Sequence, residues 1–266
     1  MKITLLGTGN AQVTECYNTC FVMDDEDGKI LVDGGGGNTL LRQLKKAGYS
    51  WKDMRDIIVT HKHIDHLIGI IWMLRMILQG MSRKQYEGEA RIYAHDEVIG
   101  LLRQLADMLL LPKETAFIDK RLHFITVKDG ETLKIAGHEV TFFDIHSTKA
   151  KQYGFCLKRK DGTKITCCGD EPYCEEERCY AEGSALLMHE AFCLYSQADI
   201  FDPYKKNHST VKDACELAEQ LGVPNLLLYH TEDRNYRNRK ELYMKEGKQY
   251  YHGNLLIPDD LECVEI

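Results

Sequence analysis

The sequence predicts an α/β protein in which two β-sheets pack face to face and are covered by helices. Short apolar runs typical of β-strands recur along the chain, and helical patterns lie between them. No Pro/Ser-rich linker, low-complexity tract or long block of like charge interrupts the 266 residues. We therefore expect a single domain over residues 1–266.

Strands and helices are predicted to alternate along the chain. The strand patterns cover residues 3–6, 20–23, 30–32, 57–60, 91–94, 122–127, 140–145, 153–157, 164–168, 185–188, 226–229 and 255–257. The helical patterns cover residues 38–47, a segment after His66, residues 96–111 and residues 211–221. Gly48, Pro112 and Gly222 stand directly after three of these helical patterns, and such residues end helices.

The composition excludes several classes of protein. The chain is 44% hydrophobic and carries a net charge of −7, which excludes a disordered chain and argues against a broad nucleic-acid-binding face. The N-terminus lacks the long apolar stretch of a secretory signal, and the apolar segment 67–78 is too short to span a bilayer. We expect a cytoplasmic protein whose ten cysteines are mostly reduced thiols.

Four of the predicted strands end at a residue that can bind a metal ion. These residues are His61, His146, Asp170 and His230. If the strands lie side by side in the same sense, their ends meet at one edge, where loops are free to build a site. A single histidine after a strand is usually a turn residue, but four such residues together favour a metal site.

The densest group of candidate ligands is the segment HKHIDH at residues 61–66. In an extended segment His61 and His63 face the same way and can bind one ion. Asp65 and His66 fall where the chain turns into the following helix, so they can face a second ion. Imidazole and carboxylate without thiolate suit zinc, with manganese and iron as competitors. A His-rich surface loop is the less favoured interpretation.

This segment resembles the HxHxDH signature of the metallo-β-lactamase superfamily. The resemblance extends from residues 5–9 and 33–35 to residues 251–254 and 258–261. It implies an αββα sandwich of two mixed sheets flanked by helices, with two divalent metal ions. The implied ligands are His61, His63 and His146 for one ion, Asp65, His66 and His230 for the other, and Asp170 as the bridge. Asp33 is predicted to orient the imidazoles rather than to bind metal.

Later motifs resemble those of ribonuclease Z and related phosphodiesterases. They include HEA at residues 189–191 and HST at residues 208–210. The resemblance implies that Glu190 pairs with His208, which donates a proton to the leaving oxygen. It also implies attack on phosphorus by a hydroxide held between the metals, with Asp65 able to accept the water proton. In the alternative interpretation, His208 only precedes a helix that Ser209 or Thr210 caps.

The sequence departs from the ribonuclease Z pattern in two places. Bacterial members carry a long arm that grips transfer RNA, whereas here only residues 156–168 separate Phe155 from Gly169. That length is enough for a hairpin turning at residues 161–162. Glu171 also stands where the family usually has Thr. We therefore expect no arm-dependent binding of transfer RNA, and leave binding of a short or single-stranded RNA open.

Two other functions stay open at this stage. The same metal centre could hydrolyse a lactone, a thioester or another small ester, although such leaving groups need no acid like His208. A non-catalytic, metal-containing protein that binds a nucleotide is the second alternative. No organic cofactor is expected, because the glycine-rich segment 7–12 lacks the third Gly of a dinucleotide fingerprint. Relatives in the family are often dimers, so a homodimer is compatible with the resemblance.

Overall fold

Fourteen strands build two sheets in the computed structural model, which describes residues 1–266. The first sheet contains β1 (Lys2–Gly7), β2 (Cys20–Asp25), β3 (Gly28–Val32), β4 (Asp56–Ile58), β5 (Ala90–Ala94), β6 (Leu122–Thr126) and β14 (Cys263–Glu265). The second contains β7 (Thr132–Ile135), β8 (His138–Asp144), β9 (Tyr153–Lys158), β10 (Lys164–Cys167), β11 (Leu186–Glu190), β12 (Asn225–Tyr229) and β13 (Asn254–Leu256). Their orders are β14-β1-β2-β3-β4-β5-β6 and β13-β12-β11-β10-β9-β8-β7.

Helices cover the outer face of each sheet. The helices are α1 (Thr39–Lys46), α2 (Ile64–Ser82), α3 (Asp96–Leu109), α4 (Pro112–Thr115), α5 (Arg178–Ala181), α6 (Ala198–Phe201), α7 (Val211–Gln220) and α8 (Arg239–Gly247). The alternation of side chains along each strand decides which layer a residue enters. Ile57 packs with Leu74 and Ile77 of α2, whereas its neighbour Ile58 packs with Phe155 of the opposite sheet. A third apolar cluster lies under α7 and α8. The predicted αββα order is therefore confirmed.

The strand directions bring the predicted site residues to one edge. Strands β3 to β6 are parallel, and so are β10 to β13. Strand β8 is antiparallel to β9, and β9 is antiparallel to β10, so β8 and β10 run in the same sense. The carboxyl ends of β8, β10 and β12 therefore lie at the same edge of the second sheet, where the predicted ligands follow them.

Helix α2 is both the longest helix and a part of the site. By length and composition alone its 19 residues could cross a membrane, but 61% of the relevant window is buried inside the protein. Its apolar residues, such as Leu74 and Ile77, cover the first sheet. Its first turn carries Asp65 and His66. We therefore interpret α2 as a core helix, and the cytoplasmic location stays a prediction.

Most differences from the predicted elements lie at the edges of the sheets. The short strands β7 and β14 were not predicted, because they have only four and three residues, too few for their alternation of exposed and less exposed side chains to indicate a strand. Helix α8 was missed for a similar reason, since it has no clear apolar stripe. The helix predicted over residues 96–111 ends at Leu109, and Pro112 begins α4.

Candidate metal centre

Four segments that are distant in the chain deliver the central side chains of the site. His61 follows β4, Asp170 follows β10, His230 follows β12, and His66 lies in the first turn of α2. All four residues are at least 97% buried. Asp170 and His230 follow parallel strands of the second sheet, whereas His61 and His66 come from the first sheet and the helix that covers it. The site therefore lies where the two sheets meet.

One carboxylate oxygen lies at the centre of this group. Asp170 Oδ2 is 3.5 Å from His61 Nε2, 3.4 Å from His66 Nε2 and 3.4 Å from His230 Nε2. Neither His66 Nε2 nor His230 Nε2 has a hydrogen-bond partner, although both are buried. Buried polar atoms without partners are costly, whereas donors arranged around one point are what a bound cation requires. The residues present therefore fit a metal ion.

Asp65 extends the group on the side of α2. Its Oδ2 atom is 3.4 Å from His66 Nε2 and 3.5 Å from His230 Nε2. Two overlapping sets of potential ligands surround these carboxylates, namely His61, His66 and Asp170, and Asp65, His66 and His230, and a third set, Glu190, His208 and His230, shares His230 with them. Because the sets contain nitrogen and oxygen donors without sulfur, zinc fits them, as do manganese and iron.

The structure brings His63 to the edge of this group but leaves His146 outside it. His63 Nδ1 lies 2.9 Å from His61 Nε2, and the side chain lines the adjacent cavity. His146 is exposed and has a left-handed backbone (φ +57°), with its amide donating to Asp144 Oδ1 at 2.8 Å. The His146 side chain thus lies outside the group here, and a ligand role for His146 stays a prediction.

Asp33 orients two of the imidazoles. Its Oδ2 atom accepts from His66 Nδ1 at 2.8 Å and from Thr60 Oγ1 at 2.7 Å. Since the Thr60 hydroxyl donates to Asp33, it accepts from His61 Nδ1, 3.0 Å away. His61 Nε2 is then left unprotonated, which is the state a metal ligand needs. The prediction that Asp33 orients imidazoles is confirmed.

The charges of the group favour a bound cation. Burial opposes ionisation of Asp170, yet the imidazoles of His61, His66 and His230 hold its pKa well below the usual range. Burial likewise opposes a charged His66, but Asp65 and Asp33 raise its pKa well above the usual value. A proton on His66 therefore neutralises part of the negative charge of these carboxylates. A divalent metal ion would neutralise more of that charge, and its binding would release the proton from His66.

Glu190 and His208 meet at one wall of the same site. Glu190 is completely buried, and its Oε1 accepts from the Ser209 amide, while its Oε2 lies 3.3 Å from His208 Nδ1. The His208 ring stacks on Phe192 with ring centroids 4.7 Å apart. Burial, and then the charge of Lys149, lower the pKa of His208 to about 4. The predicted pair is thus brought together, with His208 neutral in this state.

A cavity of about 440 Å³ opens over the metal group and the Glu190–His208 pair. This volume is within the range of small-molecule sites. Its walls include Asp65, Asp170, His230, Lys149, Lys206 and His208. One wall thus carries the metal group, and another carries His208 and two lysines.

Residues 1–253 match the family described as Anti-Pycsar protein Apyc1. The chain belongs to the Apyc1 family. The match covers every strand and helix named above except β13 and β14, which lie entirely after residue 253. All of the predicted site residues lie inside the matched region.

Known proteins similar to this Apyc1-family chain include ribonuclease Z enzymes. Ribonuclease Z of Thermococcus sibiricus is 26% identical over 307 aligned positions, covering 100% of this chain and 96% of that protein. Ribonuclease Z of Nitrosopumilus maritimus is 25% identical over 308 positions, covering 100% of both chains. The chain is thus a ribonuclease Z-like member of the metallo-β-lactamase superfamily, as predicted, and these relatives support its assignment as a metal-dependent hydrolase.

Solved structures give the same fold. The metallo-β-lactamase fold protein YhfI of Bacillus subtilis has a TM-score of 0.81 at 20% identity, with 99% of this chain and 98% of that chain covered. The short form of human tRNase Z has a TM-score of 0.74 at 20% identity, covering 100% and 99% of the two chains. The predicted metallo-β-lactamase fold of this Apyc1-family member is confirmed.

The sequence motifs of this Apyc1-family chain did not reveal every residue that supports the site. Thr60 links Asp33 to His61, but a threonine at the end of a strand carries no signal of that role. Gln152 is 1% exposed, and its backbone forms a β-bridge with His61. Only the fold places Gln152 beside the metal group, because it lies 91 positions away in the sequence from the residue it pairs with.

Proposed function

We propose that the protein is a phosphodiesterase that uses two divalent metal ions, with zinc as the first candidate. The observation that carries this proposal is the position of Asp170 Oδ2 among three imidazoles, on the floor of a cavity whose wall holds the Glu190–His208 pair. A purely structural metal site does not require a buried carboxylate and imidazole pair beside the same cavity.

The ligand residues and the wall residues have separate tasks. His61, His63, Asp65, His66, Asp170 and His230 would hold the ions, with His146 as the further predicted ligand. When bound, such ions lower the pKa of coordinated water and stabilise negative charge on phosphoryl oxygens.

His208 stands beside the metal group, with the centroid of its ring 5.3 Å from that of His230, where a leaving oxygen needs a proton. Its Nε2 atom would give that proton as the bond between phosphorus and the leaving oxygen breaks. The Glu190 carboxylate beside Nδ1 then compensates the positive ring. In the free state Lys149 Nζ lies 3.3 Å from this Nε2 atom, so Lys149 has to turn toward the substrate before His208 can be protonated.

We propose a small phosphodiester as the substrate, such as a cyclic nucleotide. The cavity has the volume of a small-molecule site. Strands β9 and β10 are joined only by residues 159–163, and this short connection supports a substrate smaller than a folded RNA. The net charge of −7 also disfavours an extended surface for nucleic acid.

The test is an assay of the metal-loaded protein on a panel containing an aryl phosphodiester, a cyclic nucleotide, an RNA with a 3′ trailer and a lactone. We expect the small phosphodiesters to be hydrolysed fastest. Preference for the lactone, without any phosphodiester turnover, would overturn the proposal.

The acid role of His208 has its own test. His208→Ala should lower kcat about 10²–10⁴-fold for a phosphodiester with a poor leaving group, and much less for a p-nitrophenyl ester, which leaves without a proton. His252→Ala is the matched control, because His252 is an exposed histidine that pairs with Glu219 and does not line the cavity. Equal losses on both esters, or no loss on either, would contradict the acid role.

A further inference from the structure

Lys149 lies on the cavity wall with its ammonium group beside the proposed acid. Its Nζ atom is 3.3 Å from His208 Nε2 and donates to the carbonyl oxygen of Lys206 at 3.1 Å. The side chain remains 31% exposed, and it lines the cavity. The Lys149 ammonium is therefore positioned to bind an anion that enters the cavity.

Glu171 fixes the loop that carries Lys149. This carboxylate is only 2% exposed, and burying a charge is costly unless it is paired. It accepts from Ser147 Oγ at 2.7 Å and from Asn207 Nδ2 at 2.5 Å, and lies 3.5 Å from Lys149 Nζ. Glu171 therefore ties residues 147–149 to residue 207, which precedes His208. It follows the central Asp170 directly, so both loops are anchored to the metal group.

A second ammonium completes this wall. Lys206 lines the same cavity, and its Nζ lies 5.1 Å from the centroid of the Phe192 ring, on which His208 also stacks. The metal side of the cavity has Asp65 and Asp170, whose charges bound ions would compensate. The wall with Lys149 and Lys206 then brings two ammonium groups to the cavity, which attract an anion.

We propose that Lys149 and Lys206 form an anion subsite beside the metal centre, with Glu171 as the positioning residue of Lys149. The subsite binds the anionic oxygen of a phosphate group that the metal ions leave free. Lys149 Nζ and His208 Nε2 are 3.3 Å apart in the free state, so once Lys149 turns from this nitrogen and the nitrogen carries a proton, a single phosphate oxygen can accept from both groups. This inference rests on the proposed function and adds to it the residues that recognise the charge of the substrate.

The test measures binding of inorganic phosphate to the zinc-loaded protein by calorimetry. Lys149→Met should weaken the affinity for phosphate about 10-fold or more, because it removes a charged hydrogen bond, and Lys149→Arg should recover most of the loss. Lys206→Met should give a smaller loss. Lys205→Met is the matched control, since that neighbouring lysine is 80% exposed and pairs with Asp202 outside the cavity lining.

A positioning role for Glu171 has a distinct signature in kinetics. Glu171→Gln keeps the side-chain volume and should raise KM for a phosphodiester several-fold more than it lowers kcat, with unchanged zinc content. Lys149→Met should show the same division between KM and kcat. Equal phosphate affinity in the wild type, Lys149→Met and Lys206→Met would overturn the subsite, whether or not the melting temperature changes.

These outcomes separate the subsite from the proposed function. If the wild type binds phosphate more tightly than Lys149→Met but hydrolyses no phosphodiester, the proposed function fails and the subsite stands. If phosphodiesters are hydrolysed while both proteins bind phosphate equally, the subsite fails and the proposed function stands.

Discussion

The two walls of the cavity are built differently. The metal wall comes from strand ends and the first turn of a long helix, and His61, His66, Asp170 and His230 are at least 97% buried there. The loop wall beside it comes from residues 146–150 and 202–208, where Lys149 is exposed. Residues on rigid elements hold a fixed geometry, whereas residues on loops can adjust to a substrate. We therefore expect substitutions on the metal wall to weaken metal binding together with turnover, and those on the loop wall to change turnover or substrate affinity while the metal content stays the same.

The largest effect is expected from Asp170→Asn. One oxygen of Asp170 faces three imidazoles, so its loss should reduce the metal content of the purified protein to less than half and phosphodiester turnover at least 10³-fold. Metal analysis and steady-state kinetics provide the measurement. Asp161→Asn, in the exposed hairpin turn, serves as the control. A variant at position 170 that retains all of its metal would contradict the central place of this carboxylate.

A smaller effect is expected from His146→Ala. The resemblance implies that His146 is a ligand, but its side chain is exposed and outside the two ligand sets. The sets formed by the other residues stay intact in the variant, so it should retain at least one zinc ion per chain. Loss of all metal would contradict this expectation and show that metal binding requires His146 as well as Asp170.

Asp33→Ala tests the support beneath the metal wall. Asp33 holds His66 and, through Thr60, also His61, so its removal should weaken metal affinity about 10–100-fold without removing a ligand. Competition with a chromophoric chelator measures this affinity. Unchanged affinity would mean that burial alone orients the imidazoles.

The smallest effect on turnover is expected at Glu177, in the segment that follows Asp170. Burial raises the pKa of its carboxyl to about 7, and the Cys174 amide and neighbouring thiols only partly oppose this shift. The usual value is 4.5, so the folded protein binds this proton more tightly than the unfolded chain does. Its contribution to stability is therefore complete below pH 4.5 and is lost as the pH rises to about 7.

Glu177→Gln removes this titration. Relative to the wild type, the variant should gain about 3 kcal/mol in the free energy of unfolding between pH 4.5 and pH 8. Urea unfolding of both proteins at the two pH values gives the difference, in which groups common to both cancel. A difference that is independent of pH would contradict the raised pKa.

The same contrast explains what the sequence could predict. Most of the metal wall could be predicted from the sequence, because HKHIDH and the residues after three other strands are metal-binding residue types at the ends of predicted strands. The geometry of the loop wall could not, because Lys149 and Glu171 gain their partners only when the loops at residues 146–150 and 202–208 meet in the fold. His146 shows the limit of a motif, since the residue follows its strand as predicted while its side chain is exposed outside the metal group.

The most direct test is a crystal of the zinc-loaded protein measured at the zinc absorption edge. Our account predicts two anomalous peaks flanking Asp170, both within about 2.0–2.2 Å of its carboxylate oxygens. A single peak at a separate group of potential ligands, Asp25, Asp27 and His138, with none beside Asp170, would contradict it.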